Sequence, residues 1–249
     1  MIGVNYSTTN ILVRKECGRN PLLQKIFNRN INYVRYVKSK DNDTLVKQAF
    51  QYEILRQNDA QSTFTNMIKQ FGPRTTEFLN GDNILNAPKH KLKKAIYQSF
   101  NQLWFERSIE YAKAETYLTF KTKVGLEKYL EDIKDRKLRV AFSKFRLSDH
   151  NLKIEEGRRS NPKIDRDKRF CAVCMDVVED EVHFLIKCPS KNSERDALFS
   201  KITEKVPIFE TLHAAAKFIY MLSQEDKYIT KLIIEHIKKW CSSPTRTLF

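Results

Sequence analysis

Four potential metal donors fall within 18 residues of this 249-residue chain: Cys171, Cys174, His183 and Cys188, spaced Cys-x2-Cys-x8-His-x4-Cys. If all four meet, the chain must turn back on itself between 171 and 188, whatever the rest does. Zinc takes four tetrahedral donors, and thiolates with one imidazole are a standard structural set. The Cys-x2-Cys pair can set two sulfurs on one ion through a tight turn, and the spacer gives room for His183 and Cys188 to return. Asp180 to Lys187 reads as a short helix carrying His183, with Cys188 near its end. One structural zinc is the expectation, and three Cys with one His leave no open position for catalysis.

Other readings of these cysteines fit less well. A disulfide framework would leave one of the three clustered Cys unpaired, and the chain carries no visible secretory signal. A redox Cys-x2-Cys would need a thioredoxin-like βαβ context, which the pattern lacks. Cys17 and Cys241 stand apart and read as structural or surface thiols. His236 and Cys241 repeat the His-x4-Cys spacing without a second pair. His90, His150 and His213 read as surface or packing residues.

Around this cluster the sequence is helical in character. Only 6 Gly and 7 Pro are spread along the chain, too few for a turn-rich β fold. Helical periodicity appears in a short run at Thr8–Glu16, then after Pro21 through Leu22, Leu23, Ile26, Phe27, Ile31, Val34 and Val37. It returns after Asp43, at Phe64–Phe71, along Lys91–Phe120 and along Leu126–Phe145. After Pro189 it covers Ser193–Val206, Glu210–Leu222 and Glu225–Trp240. Aromatics at this spacing read as core rather than as base-stacking platforms. From Asp149 to Phe170 the period lapses and the segment reads as a polar connector. The fold expected is mainly α: bundle-like helices, a small zinc-bound insert, then C-terminal helices. Its segments are 1–88, helical; 89–148, a basic helical connector; 149–189, polar linker and metal motif; and 190–249, C-terminal helices.

Charge narrows the partner. The chain has 45 Lys and Arg against 30 Asp and Glu, a formal charge of +15. Residues 89–170 hold 22 Lys and Arg against 12 Asp and Glu, so a third of the chain carries two-thirds of the surplus. Arg136, Lys137, Arg139, Lys144 and Arg146 follow one another on successive helical turns, a pattern that suits phosphate binding. Arg158 and Arg159 extend the basic run towards the metal motif. The spacer in that motif is acidic, with Asp176, Glu179, Asp180 and Glu181. This suits an architectural brace better than a direct phosphate contact. No run approaches the ~18 apolar residues of a membrane span. The N-terminus lacks the apolar core of a signal peptide. A soluble chain in the nucleus or cytoplasm, with no membrane partner, is expected.

Three stretches resemble the region downstream of the polymerase core in non-LTR (LINE-type) retrotransposon reverse transcriptases. The first is Ile2-Gly3-Val4, Thr8-Thr9-Asn10 and Glu16-Cys17-Gly18-Arg19-Asn20-Pro21-Leu22, similar to a segment near the thumb that opens a long helix. Position 17 departs from the family, which often has an apolar residue where Cys17 stands. The second runs from Phe120-Lys121-Thr122 and Leu126-Glu127-Lys128-Tyr129-Leu130 into Phe145-Arg146-Leu147-Ser148-Asp149-His150-Asn151-Leu152 and Ile154-Glu155-Glu156-Gly157-Arg158. The third is the Cys171, Cys174, His183, Cys188 set with its flanks, which has the form of that family's C-terminal zinc motif. The resemblance implies a thumb-proximal and C-terminal piece that holds RNA or DNA, with the reverse transcriptase core as a further partner. The polymerase of that family needs an aromatic-x-Asp-Asp motif for two-metal chemistry. No Asp-Asp pair occurs anywhere in this chain, and no endonuclease constellation is evident. The chain is therefore expected to bind nucleic acid and neither to polymerise nor to cut it. A protein-interaction module with a purely architectural zinc site, or a decayed element copy, are the competing readings.

Overall fold

A computed structural model describes residues 2–6, 8–19, 22–56 and 86–241, and these are mainly helical. Among them no β-strand forms. Two isolated backbone bridges pair Cys17 with Leu126 and Phe170 with Val178. The described helices are α1 (Asn10–Glu16), α2 (Leu22–Lys38), α3 (Leu45–Arg56), α4 (Lys89–Ile109), α5 (Ala114–Phe120), α6 (Lys128–Asp132), α7 (Arg136–Arg146), α8 (Lys153–Arg159), α9 (Asn192–Lys205), α10 (Ile208–Thr211), α11 (Ala214–Leu222) and α12 (Lys227–Cys241). The helix expected at Phe64–Phe71 lies outside the described residues.

Packing divides the chain into two units: Met1–Gly18 with Ile109–Phe249, and Arg19–Ser108. The sequence segments follow composition, whereas these units follow which parts of the chain pack together. In the second unit α2 and α4 form the core through Phe27, Ile31, Leu92, Ala95 and Ile96, with Ala87 and Phe100 packed against them. The apolar stripe of α2 is narrower than its sequence suggests. Phe27, Ile31, Val34 and Val37 are buried, but Leu22 and Ile26 face solvent.

Two long helical runs break in the first unit. The stretch expected as one helix over Lys91–Phe120 stops at Ile109 and restarts at Ala114, with no Gly or Pro at the break. Leu126–Phe145 splits because Asp135 begins a new helix: its carboxylate accepts the amides of Lys137 at 2.7 Å and Leu138 at 3.3 Å. Such capping satisfies amides that the first helical turn leaves unpaired. Asp226 does the same for α12 through Tyr228 and Ile229. Helix α12 then packs on α7, and α11 packs on α5.

Of the segment expected as a polar connector, 149–170, the first half is internal structure, whereas residues 161–168 are exposed as a connector would be. Asp149, His150, Leu152, Ile154 and Glu155 are each at most 5% exposed, and α8 grows from them. The period lapses here because polar residues fill interior positions through specific pairs. The N-terminal segment joins the same interior. Asn5 donates from its backbone and side-chain amides to Asp149 at 2.8 and 2.6 Å. Glu16, fully buried, accepts from Arg146 Nε at 2.5 Å and from the hydroxyls of Tyr117 and Tyr129 at 2.8 Å each.

Candidate metal centre

The four donors are supplied by a short hairpin and a helical turn. Around the first pair, Phe170 bridges to Val178, Cys171 N donates to Val177 O at 2.8 Å, and Glu179 N donates to Arg169 O at 2.9 Å. At the tip, Met175 N donates to Cys171 O and Asp176 N to Cys174 O, both at 2.8 Å. Met175 takes φ +66°, the left-handed conformation that lets so tight a turn close. The second pair sits on one turn of π-helix, His183–Lys187, followed directly by Cys188. Asp180 anchors that turn by accepting from His183 N at 2.6 Å.

These elements bring one ligand atom from each of Cys171, Cys174, His183 and Cys188 to within 4.8 Å of one another. Cys171 Sγ lies 3.9 Å from Cys188 Sγ, and Cys174 Sγ lies 3.6 Å from His183 Nε2. Such a set fits one metal ion held by protein donors alone. Its electrostatics point the same way. Desolvation and the adjoining Cys171 and Cys188 sulfurs push the Cys174 thiol up to about 12. Desolvation also lowers the His183 imidazole, favouring the neutral form that ligates metals. A dication relieves the crowding of sulfurs that raises the thiol. Arg195 of α9 braces the rim by donating to Cys188 O at 2.9 Å.

Two of the four spacer acids, Glu179 and Glu181, are buried, whereas Asp176 is exposed. Glu181 accepts from Ser148 at 2.7 Å, from His150 Nε2 at 2.9 Å and from Thr116 at 3.2 Å. Burial opposes its charge, but the His150 and Ser148 bonds outweigh burial and hold the carboxyl at about 2. Glu179 accepts the Lys153 amide at 2.9 Å and starts α8. These acids therefore weld the metal turn to the 148–153 segment. Sequence reading did not connect them, because hydrogen-bond partners some 30 positions apart leave no periodic signal.

The expected basic stripe is rearranged. Arg146 is 2% exposed: besides Glu16, it donates to Glu127 at 2.6 Å and to the Leu222 carbonyl, and it stacks over Phe120. Its charge is satisfied inside the fold, so Arg146 is not a phosphate contact. Arg139 is half-buried and donates to the carbonyls of Ile133 and Lys134. Arg158 pairs with Glu155 at 2.9 Å, and Arg159 donates to His150 O at 2.7 Å. Lys144 is half-buried, while Arg136 and Lys137 stand exposed at the start of α7. Helical geometry explains the outcome. At 100° per residue, Arg139 and Arg146 lie about 20° apart, close to the buried side of α7, and Lys137 and Lys144 lie on another side.

A second cationic face was not anticipated from sequence. From Leu22 to Lys40 there are 5 Lys and Arg and no Asp or Glu. Arg35 turns inward to the Ala87 carbonyl at 2.7 Å, whereas Lys25 and Arg29 are exposed opposite the buried stripe of α2. A count of charge by segment hides this face, but a helical projection of residues 22–40 reveals it.

Comparison with protein-family models, with curated proteins and with solved structures finds no match to this chain.

Proposed function

We propose that the chain is a zinc-braced helical module that binds nucleic acid. The observation that carries this reading is the acid-free cationic run from Leu22 to Lys40, with Lys25 and Arg29 exposed on one side of α2. A helix that presents cations without interleaved carboxylates attracts a polyanion, and phosphate contacts then set affinity. Arg136 and Lys137 supply further exposed cations in the other unit. The metal is zinc, held by Cys171, Cys174, His183 and Cys188. Thiolate-rich tetrahedral sets select it, and four protein ligands make the site structural. In this reading the chain performs no chemistry of its own. By its resemblance to non-LTR reverse transcriptases it positions RNA or DNA beside a polymerase core for target-primed synthesis.

A second reading has one observation in its favour. The metal hairpin exposes Val173, Met175 and Val177, and no Lys or Arg occurs from Phe170 to Ile186. An apolar tip without cations suits a protein partner better than phosphate, and the same module can use both surfaces.

The test is binding of labelled RNA and DNA oligonucleotides by the full chain across a salt series, with the charge-reversed pairs Lys25→Glu/Arg29→Glu and Arg136→Glu/Lys137→Glu. Affinity should fall steeply with salt, and the α2 reversal should cost at least tenfold. Affinity that is absent, or that does not depend on salt, overturns the proposal.

A further inference from the structure

The exposed face of α2 carries rings as well as charge. Lys25, Arg29, Tyr33 and Tyr36 all fall within an arc of about 80° on the helical projection, opposite Phe27, Ile31 and Val34. Tyr33 is 49% and Tyr36 52% exposed, and Tyr52 of α3 is 61% exposed. Neither α2 ring hangs loose. Tyr33 meets Phe50 of α3 edge-on, with centroids 6.1 Å apart, and Lys40 Nζ lies over the Tyr36 ring at 4.8 Å. Each ring is thus braced by one neighbour while about half of its residue surface meets water. A braced ring loses little further freedom on binding, which lowers the cost of stacking.

Cations followed by braced aromatics along one line are what a single strand requires. The phosphates meet Lys25 and Arg29, and the bases stack on Tyr33 and Tyr36. Base–aromatic stacking is tolerant of sequence, because every base offers a π-face. A duplex keeps its bases stacked on one another and offers these rings only its backbone, unless a wedge opens a step. From Lys25 to Tyr36 the helix rises about 16 Å, enough to follow a short run of nucleotides.

We infer that the α2 face is a platform for single-stranded nucleic acid, on which Lys25 and Arg29 hold phosphates while Tyr33 and Tyr36 stack bases. This rests on the nucleic-acid reading above and adds the strandedness of the ligand and the residues that select it.

The experiment compares a labelled 12-nucleotide single strand with the same sequence as a duplex. It uses the full wild-type chain, Tyr33→Ala/Tyr36→Ala and Tyr33→Phe/Tyr36→Phe, each checked for wild-type circular dichroism. The wild type should bind the single strand at least tenfold more tightly than the duplex. The alanine pair should lose ~10-fold or more for the single strand, with its salt slope unchanged, and the phenylalanine pair should retain wild-type affinity. Poly-L-glutamate at matched charge, an anion without bases, should not displace the strand. Equal affinity for both probes, an alanine pair that binds like wild type, or displacement by poly-L-glutamate overturns this inference and leaves the broader reading intact. Failure of the wild type to bind either probe overturns both.

Discussion

Arg146 donates to the Glu16 carboxylate at 2.5 Å inside the first unit, joining residues 130 positions apart. Burial opposes the charge of both partners. Even so, Arg146 holds Glu16 below the usual carboxylate range, and Glu16 with Glu127 keeps Arg146 above the ordinary arginine value. Removing one partner strands the other's charge, which typically costs about 3–5 kcal/mol. Arg146→Ala is expected to lower unfolding free energy by that order in a urea titration. A shift below about 1 kcal/mol would show that the pair is not the anchor of the N-terminal segment.

Metal removal should be felt locally first. The hairpin around Cys171 and Cys174 has few backbone bonds of its own, and donor convergence supplies the rest. Ligand binding to such a site is linked to folding. Purified chain is expected to carry one zinc by elemental analysis. Chelation, or Cys174→Ser, should expose amides at 169–188 to hydrogen exchange before those of α12. A metal-free preparation with full protection there would rule the brace out.

His236 gives a pH signature. It is 9% exposed, and burial chiefly lowers its imidazole from the ordinary 6.5 to about 4. The folded state therefore resists a proton that the unfolded chain accepts. The resulting stability is fully present above about 6.5 and is lost as pH falls from there through about 4. His236→Gln should flatten the slope of unfolding free energy against pH in that window. An unchanged slope would place the titration elsewhere.

Gly18 tests the local path of the N-terminal segment. It sits at φ +59°, and a Cβ there would lie 2.3 Å from the Leu126 backbone nitrogen, beside the Cys17–Leu126 bridge. Backbone cannot yield as a flexible side chain can. Gly18→Ala is expected to cost about 2 kcal/mol or more, read as a lowered Tm. Wild-type Tm would show that the segment relaxes freely.

The convergence of Cys171, Cys174, His183 and Cys188 was legible because its signal is local: four donors at fixed spacing within one short stretch. Most helices were legible through periodic burial, down to the C-terminal run that became α12. What stayed hidden depends on partners distant in sequence. Arg146 looks identical to Arg136 in a charge count, and only the approach of Glu16 and Glu127 turns it inward. His150 and Glu181 look like ordinary polar residues until the 148–153 segment meets the metal turn. The break after Ile109 has no Gly or Pro to announce it. The α2 face is hidden for another reason: its cations are marked out by their direction around the helix, which a charge sum over the segment does not carry.

The chain order of the first unit has a consequence for its synthesis. Glu16 is made before its partner, and Arg146 is added 130 residues later. At 5–20 residues per second that is a wait of roughly 7 to 26 s. Arg19–Ser108, by contrast, is a continuous stretch that is complete before most of the first unit has been made. The nascent chain therefore passes through a stage at which this insertion can fold while the opening segment, with Leu12 and Glu16 destined for the interior, still lacks the partners that will bury it.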